Sequence, residues 1–233
     1  MSPTTTALLG LLAATPAARN GVYFEQTVVS WSGGRAAGPG VASRVWHGGP
    51  GRMRLEAAGV EGGSALVLRL DQGQAWRLDP ASKTAVALDL ERLRERSRMD
   101  LGLAGQLMSA LDEPRVSALS GERLIAGFHC RGYRLRAPSA VLDLYLTREL
   151  PIGIDAFTDF LEWSGAREAL GPLLREIRAL RGFPLQTRSR VSVLGEPHET
   201  VSTVTRVVIG PLPTTLFEPP SDYGRVGPEA AAP

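Results

Sequence analysis

Residues 64–88 read SALVLRLDQGQAWRLDPASKTAVAL, and the fold turns on how this run is parsed. Residues 64–70 and 74–79 are two apolar-rich arms, closed by Asp71-Gln72-Gly73, a short glycine-containing loop suited to tight reversal. Asp79-Pro80-Ala81-Ser82 then turns the chain into a third arm at 83–88. Upstream, residues 22–32 (VYFEQTVVSWS) are rich in β-branched and aromatic side chains, a strand composition. A glycine-rich loop at 33–40 leads to strands at 42–47 and 52–58 around Gly48-Gly49-Pro50-Gly51, and residues 59–63 turn again. Met53, Leu55 and Ala57 alternate with Arg52, Arg54 and Glu56, which predicts one face on a core and one in water. Parallel neighbours would need crossovers of about a dozen residues. The short links therefore predict an antiparallel meander.

Past this run the period changes. In residues 89–112 (DLERLRERSRMDLGLAGQLMSALD), Leu90, Leu93, Leu101, Ala104, Leu107, Met108 and Leu111 recur at three- and four-residue steps. That spacing predicts an amphipathic helix, with Asp89 as N-cap and a break near Gly102. Arg92, Arg94, Arg96 and Arg98 interleave with Glu91 and Glu95, as on a solvated face laced by local ion pairs; a partner-binding rim is the alternative. Strands are predicted at 115–119, 122–126, 130–137 and 140–147, helices at 155–165 and 170–180, and a closing hairpin of 183–193 and 199–209 around Leu194-Gly195-Glu196-Pro197. The proline-rich stretch from Gly210 reads as a tail. There is no internal repeat and no linker between two cores, so the expected organisation is one domain over 19–223, flanked by 1–18 and a disordered tail at 224–233.

Composition narrows the function classes. The chain has 233 residues, and 26 basic against 24 acidic side chains leave +2, too balanced for an electrostatic grip on nucleic acid as the main function. The single cysteine excludes an intramolecular disulfide, and Cys130 reads as a small buried hydrophobe. There is no run of about 18 apolar residues, so no standard membrane span is expected. Lys83 is the sole lysine. A preference for arginine's forked anion contacts would produce this bias, and so would GC-rich coding, which the abundance of Ala, Gly and Pro fits. Residues 1–20 (MSPTTTALLGLLAATPAARN) hold a short apolar stretch that ends in small residues before Arg19. This resembles the apolar region and cleavage site of a secretory signal, though no Lys or Arg precedes it, and points to a periplasmic or otherwise exported protein.

No catalytic signature emerges. His47, His129 and His198 lie on separate predicted strands without metal-ligand spacing to one another. Trp163-Ser164-Gly165 lacks the first glycine of a nucleophile elbow, and no dinucleotide or phosphate loop occurs. Asp155, Asp159 and Glu162 share a helix face, as on an exposed acidic surface. No enzyme activity, cofactor or metal is expected on these residues, an unrecognised hydrolase being the third alternative. The remaining candidates are apolar: Trp31, Trp46, Trp76, Tyr145, Phe157, Phe160 and Trp163, each of which core packing alone would explain. A long antiparallel sheet with few helices cannot bury both faces unless it curls or is covered. A curled sheet closed by helices leaves a concave apolar hollow.

The segment from Leu70 through Trp76 to Thr84 (LDQGQAWRLDPASKT), the strand start Gly182-Phe183-Pro184-Leu185 and the closing LFEPPSDY at 216–223 carry a family likeness. Over roughly residues 21–223 the layout resembles the LolA/LolB-like lipoprotein-carrier superfamily and, more narrowly, an exported bacterial family of unknown function placed near it. The resemblance implies an α+β fold: a curved antiparallel sheet forming an unclosed β-barrel, with two or three helices as a lid. It implies a lipid or lipoprotein acyl chain as the apolar ligand, with Trp46, Trp76, Tyr145, Phe157 and Phe160 as the lining. It also implies Phe217 and Tyr223 as anchors for the last segment, and an envelope protein as possible partner. A structural or sensory interaction module with a filled core is the alternative.

Overall fold

The computed structural model describes residues 20–58, 63–92, 95, 114–137, 140–162, 167–193 and 195–228. Thirteen strands among them form one sheet. β1 (Asn20–Ser32), with the two-residue β2 (Arg35–Ala36) folded back on it, opens a run of β3 (Val41–His47), β4 (Arg52–Ala58), β5 (Ala65–Arg69), β6 (Gln74–Asp79) and β7 (Thr84–Ala87). A second run comprises β8 (Arg115–Ile125), β9 (Phe128–Ala137), β10 (Ala140–Thr147), β11 (Phe183–Val193) and β12 (Glu196–Pro211). Each run is an antiparallel meander, with short links throughout except between β10 and β11. The two are joined at the middle of the sheet, where β1 pairs with β12 along its whole length. The free edges are β8 at one end and the three-residue β13 (Gly224–Val226) at the other, so the sheet stays unclosed. Two helices, α1 (Ile154–Leu161) and α2 (Arg167–Ala179), are inserted between β10 and β11.

Local chemistry accounts for the turns. Gly73 takes φ 64° at the end of the 3-10 turn Leu70–Gln72, a left-handed conformation that glycine adopts without strain. The Asp79 carboxylate accepts the Ala81 and Ser82 amides and the Ser82 hydroxyl, fixing the reversal into β7. The Asp89 carboxylate accepts the Glu91 and Arg92 amides, an N-cap at the start of the helix expected over 89–112. The rest of that expectation, apart from residue 95, lies outside the described residues, as do residues 1–18.

The fold departs from expectation in four places. The sheet is mixed, because β13 runs parallel to β7. The chain beyond residue 223 is therefore not all tail: Gly224–Val226 is a strand, and Phe217 before it is 2% exposed. The face of β4 carrying Arg52, Arg54 and Glu56 is also not simply in water. Arg54 Nη1 donates to the Leu216 carbonyl, and Arg69 pairs with Glu218, so the last segment lies against that face. Finally, the two strands expected at 115–119 and 122–126 are one strand with a bulge between Ala118 and Glu122.

Phe217 and Tyr223 anchor the closing segment. A Cβ on Gly48 would sit 2.5 Å from the Phe217 ring, so the missing side chain makes the ring's berth. Tyr223 packs with Trp76 against Ala65, Val67, Leu78 and Ala85. Lys83 Nζ lies 3.0 Å from Asp222, and the Lys83 carbonyl accepts the Gly224 amide. Two of the three segments that carry the family likeness, 70–84 and 216–223, thus meet each other.

Candidate functional site

The largest apolar cluster contains Val22, Phe24, Val45, Cys130, Tyr145, Phe183, Leu185 and Val204. A second, formed by Leu135, Leu144 and Leu146, meets Ile154 of α1 and Ile177 of α2. Phe157 of α1 packs against both. The helices present these side chains because apolar residues recur at helical spacing on one face of each. The opposite face is charged: Asp159 and Glu162 both pair with Arg178, at 2.8 and 2.9 Å, which ties α1 to α2. Two of the three carboxylates of the acidic face expected there, Asp159 and Glu162, are thus ion-paired, and Arg178 Nε also donates to the buried Thr158 hydroxyl.

Of the five residues expected to line a hollow, the four whose side chains are described do not meet as one lining. Tyr145 belongs to the first cluster, 9% exposed, with the Arg123 guanidinium 4.2 Å from its ring centroid. Gly132 on β9 makes room for that ring, since a Cβ there would lie 2.9 Å from Tyr145 Cε1. Phe157 joins the two clusters. Trp46 lies one position from Val45 on β3 and so points to the other face. There its ring lies tilted against that of Tyr23, its cross-strand partner, with centroids 5.0 Å apart and the Arg54 guanidinium 5.9 Å away. Trp76 belongs to the third cluster, under Tyr223. Phe160 is on α1; its side chain, with Trp163, lies outside the described residues.

Polar chemistry on the apolar side is sparse. His47 shares the Val45 face, and its Nδ1 is buried without a hydrogen-bond partner among the described residues. Burial holds its imidazole below the usual histidine range, opposed by the negative charge of Asp159 on α1. Cys130 is fully buried, and burial, with the nearby Glu149 charge, pushes its thiol up to about 11. No group of three His, Cys, Asp or Glu among the described residues could hold a metal ion. No helix among them is long and apolar enough to cross a membrane.

A pair of basic rows crosses the second meander on the side away from the helices. Asp143, buried on β10, accepts Arg134 Nε at 2.5 Å and Nη2 at 2.7 Å, and Arg190 Nη2 at 2.7 Å. Its burial would raise the carboxyl's pKa, but the two guanidiniums outweigh this and hold it below the usual carboxylate range. Sequence reading missed this cluster. Its signal was the alternation of Arg134 and Arg136 with Tyr133 and Leu135 on a strand.

The family described as "Domain of unknown function (DUF4412)" matches residues 40–223. No curated protein matches the chain. Among solved structures it is similar to PNGF-II, at 12% identity and TM-score 0.37 over 90% of this chain and 31% of that one. It thus spans about a third of that relative's length. An uncharacterized conserved protein from Thermus thermophilus is similar at 12% identity and TM-score 0.43, over 88% of this chain and 90% of that one. A LolA superfamily protein from Nitrosomonas europaea is similar at 12% identity and TM-score 0.34, over 85% and 90%.

Proposed function

The chain belongs to the DUF4412 family, whose domain has no known function, and from that premise we propose that it is a non-enzymatic protein of the cell envelope that holds a lipid or lipoprotein acyl chain against the apolar face of its open sheet. One observation carries this reading. The sheet leaves both edges free and does not close on itself; instead its apolar face is covered by an inserted helix pair, with Phe157 placed between the two clusters beneath. The cover is two short helices held to each other by Arg178. The surface beneath it is aliphatic and aromatic. Each methylene buried there contributes about 0.8 kcal/mol. Phe157 is the proposed lining residue; Trp46 and Trp76 serve the other face, and Tyr145, which alternates with Leu144 and Leu146, lies under Arg123 on the side of Asp143.

A second reading has its own support. Ile154, Leu174 and Ile177 are 4%, 2% and 1% exposed, so the helices fill the space they cover. A filled core would make the protein an interaction module. The test is native mass spectrometry and solvent extraction of protein purified from an exporting host, together with uptake of a fluorescent fatty-acid analogue. Carriage predicts a co-purifying lipid or saturable uptake. Protein that yields no lipid and takes up no analogue is the filled module.

A further inference from the structure

The rows of the second meander place like charges side by side. Arg115 on β8 is directly opposite Arg136 on β9, Arg136 is opposite Val141 on β10, and Val141 is opposite Arg190 on β11. The next row on the same face runs Ser117, Arg134, Asp143, Arg188. Arg123 joins them, reaching over Tyr145 to donate to Gln186 of β11 at 3.2 Å. Across β8–β12 this face therefore carries Arg115, Arg123, Arg134, Arg136, Arg188 and Arg190 against two carboxylates, Asp143 and Glu199. Asp143 is consumed by Arg134 and Arg190, and Glu199 pairs with Arg188. Among the described residues no carboxylate pairs with Arg115 or Arg136, both exposed. Directly opposed like charges destabilise a sheet. Arg190 Nε is in addition buried without a partner.

We propose that this face docks on an anionic phospholipid surface. Three features favour a bilayer over a single small anion. The row from Arg115 to Arg190 crosses three strand spacings, about 14 Å, wide enough for several phosphates. Arginine forks match phosphate oxygens two at a time. Each row also runs on into apolar side chains: Arg190 is opposite Glu199, which is opposite the half-buried Trp31, and Arg188 is opposite Val201, which is opposite Val29. Basic residues flanked by tryptophan and aliphatic groups suit the boundary between headgroups and hydrocarbon. The docking face stands independently of acyl-chain carriage, since it lies on the side away from the helices.

The test is co-flotation of the full chain with vesicles of phosphatidylglycerol mixed into phosphatidylcholine, against phosphatidylcholine alone. Binding is expected only with phosphatidylglycerol present and is expected to weaken with added salt. Arg115→Gln and Arg136→Gln should each weaken it about fivefold, and the double variant about 25-fold. Their melting temperatures should stay level or rise, because an opposed pair of charges is relieved. Arg225→Gln on β13, at the other end of the sheet, should leave binding unchanged. Equal binding to neutral vesicles, no binding to either, or an equal loss in Arg225→Gln overturns the proposal. So does retention of a DNA oligonucleotide, sensitive to the same variants, without vesicle binding. A protein that floats with anionic vesicles yet carries no lipid keeps this inference and loses the carrier reading.

Discussion

Cys130 shows how burial decides chemistry at a single residue. Its thiol sits in the main apolar cluster and is pushed up to about 11 by desolvation. Almost no thiolate exists at neutral pH, and the thiolate is the nucleophile. Folded protein should resist a thiol reagent at about pH 8 while urea-unfolded protein reacts freely; prompt labelling of the folded form would contradict the burial. Asp143 is the opposite case. Its folded pKa is depressed, so the stability it contributes is fully present above the ordinary aspartate value and is lost as pH falls through the lower folded value. Asp143→Asn should cost about 2 kcal/mol at neutral pH, less than a fully buried pair would because the arginines are partly in water. Urea midpoints should show that deficit shrinking below about pH 4, where the carboxyl of the unfolded chain begins to protonate while the folded one is still ionised. Residue by residue, the alternation of β3 puts Val45 and Trp46 on opposite faces, although Trp46 was expected in the lining. It could not tell which side was the core, because the covering segments come from far along the chain.

The closing segment works as one element. Phe217 in its berth at Gly48, Tyr223 on the third cluster and β13 along β7 strap the free end of the first meander. Phe217→Ala should destabilise by about 3–5 kcal/mol, as for other buried aromatic truncations. Gly48→Val should cost about 1–3 kcal/mol from the other side of the same contact. Thermal melts of both variants and their combination check this: the double variant should cost less than the sum, because the valine enters space the ring has left. How far the sequence was legible varied by element. β4, β6, β10 and β11 were read at their observed bounds, since each alternates between punctuating turns. Ser120-Gly121 suggested a break, but β8 absorbs those residues as a bulge and continues. β13 left no readable signal: three residues, Gly-Arg-Val, become a strand where Tyr223 on the third cluster, the Gly224 amide on the Lys83 carbonyl and the Lys83–Asp222 pair hold them beside β7. The helix pair was legible as two amphipathic pieces. That Arg178 would bind both Asp159 and Glu162 was not, because it depends on the angle between them.

At the scale of the molecule, acyl-chain carriage predicts a change in stability with cargo. Anything that binds only the folded state stabilises it by mass action, about 2.7 kcal/mol at a ligand excess of 100-fold over Kd. Protein stripped by detergent should melt lower than protein as purified and should recover on adding a long-chain fatty acid; identical melting curves would favour the filled module. The central β1–β12 seam has a separate consequence, for the order of assembly. Glu25 meets Arg206, 181 positions further on. Contacts of such span are slow to form, because a large loop must close first. Emerging from the ribosome, the early half must wait with an open flank until nearly the whole polypeptide is made. During that interval the long first strand is a ready template for a stranger's backbone, and a holding chaperone on β1 would matter more than one anywhere else.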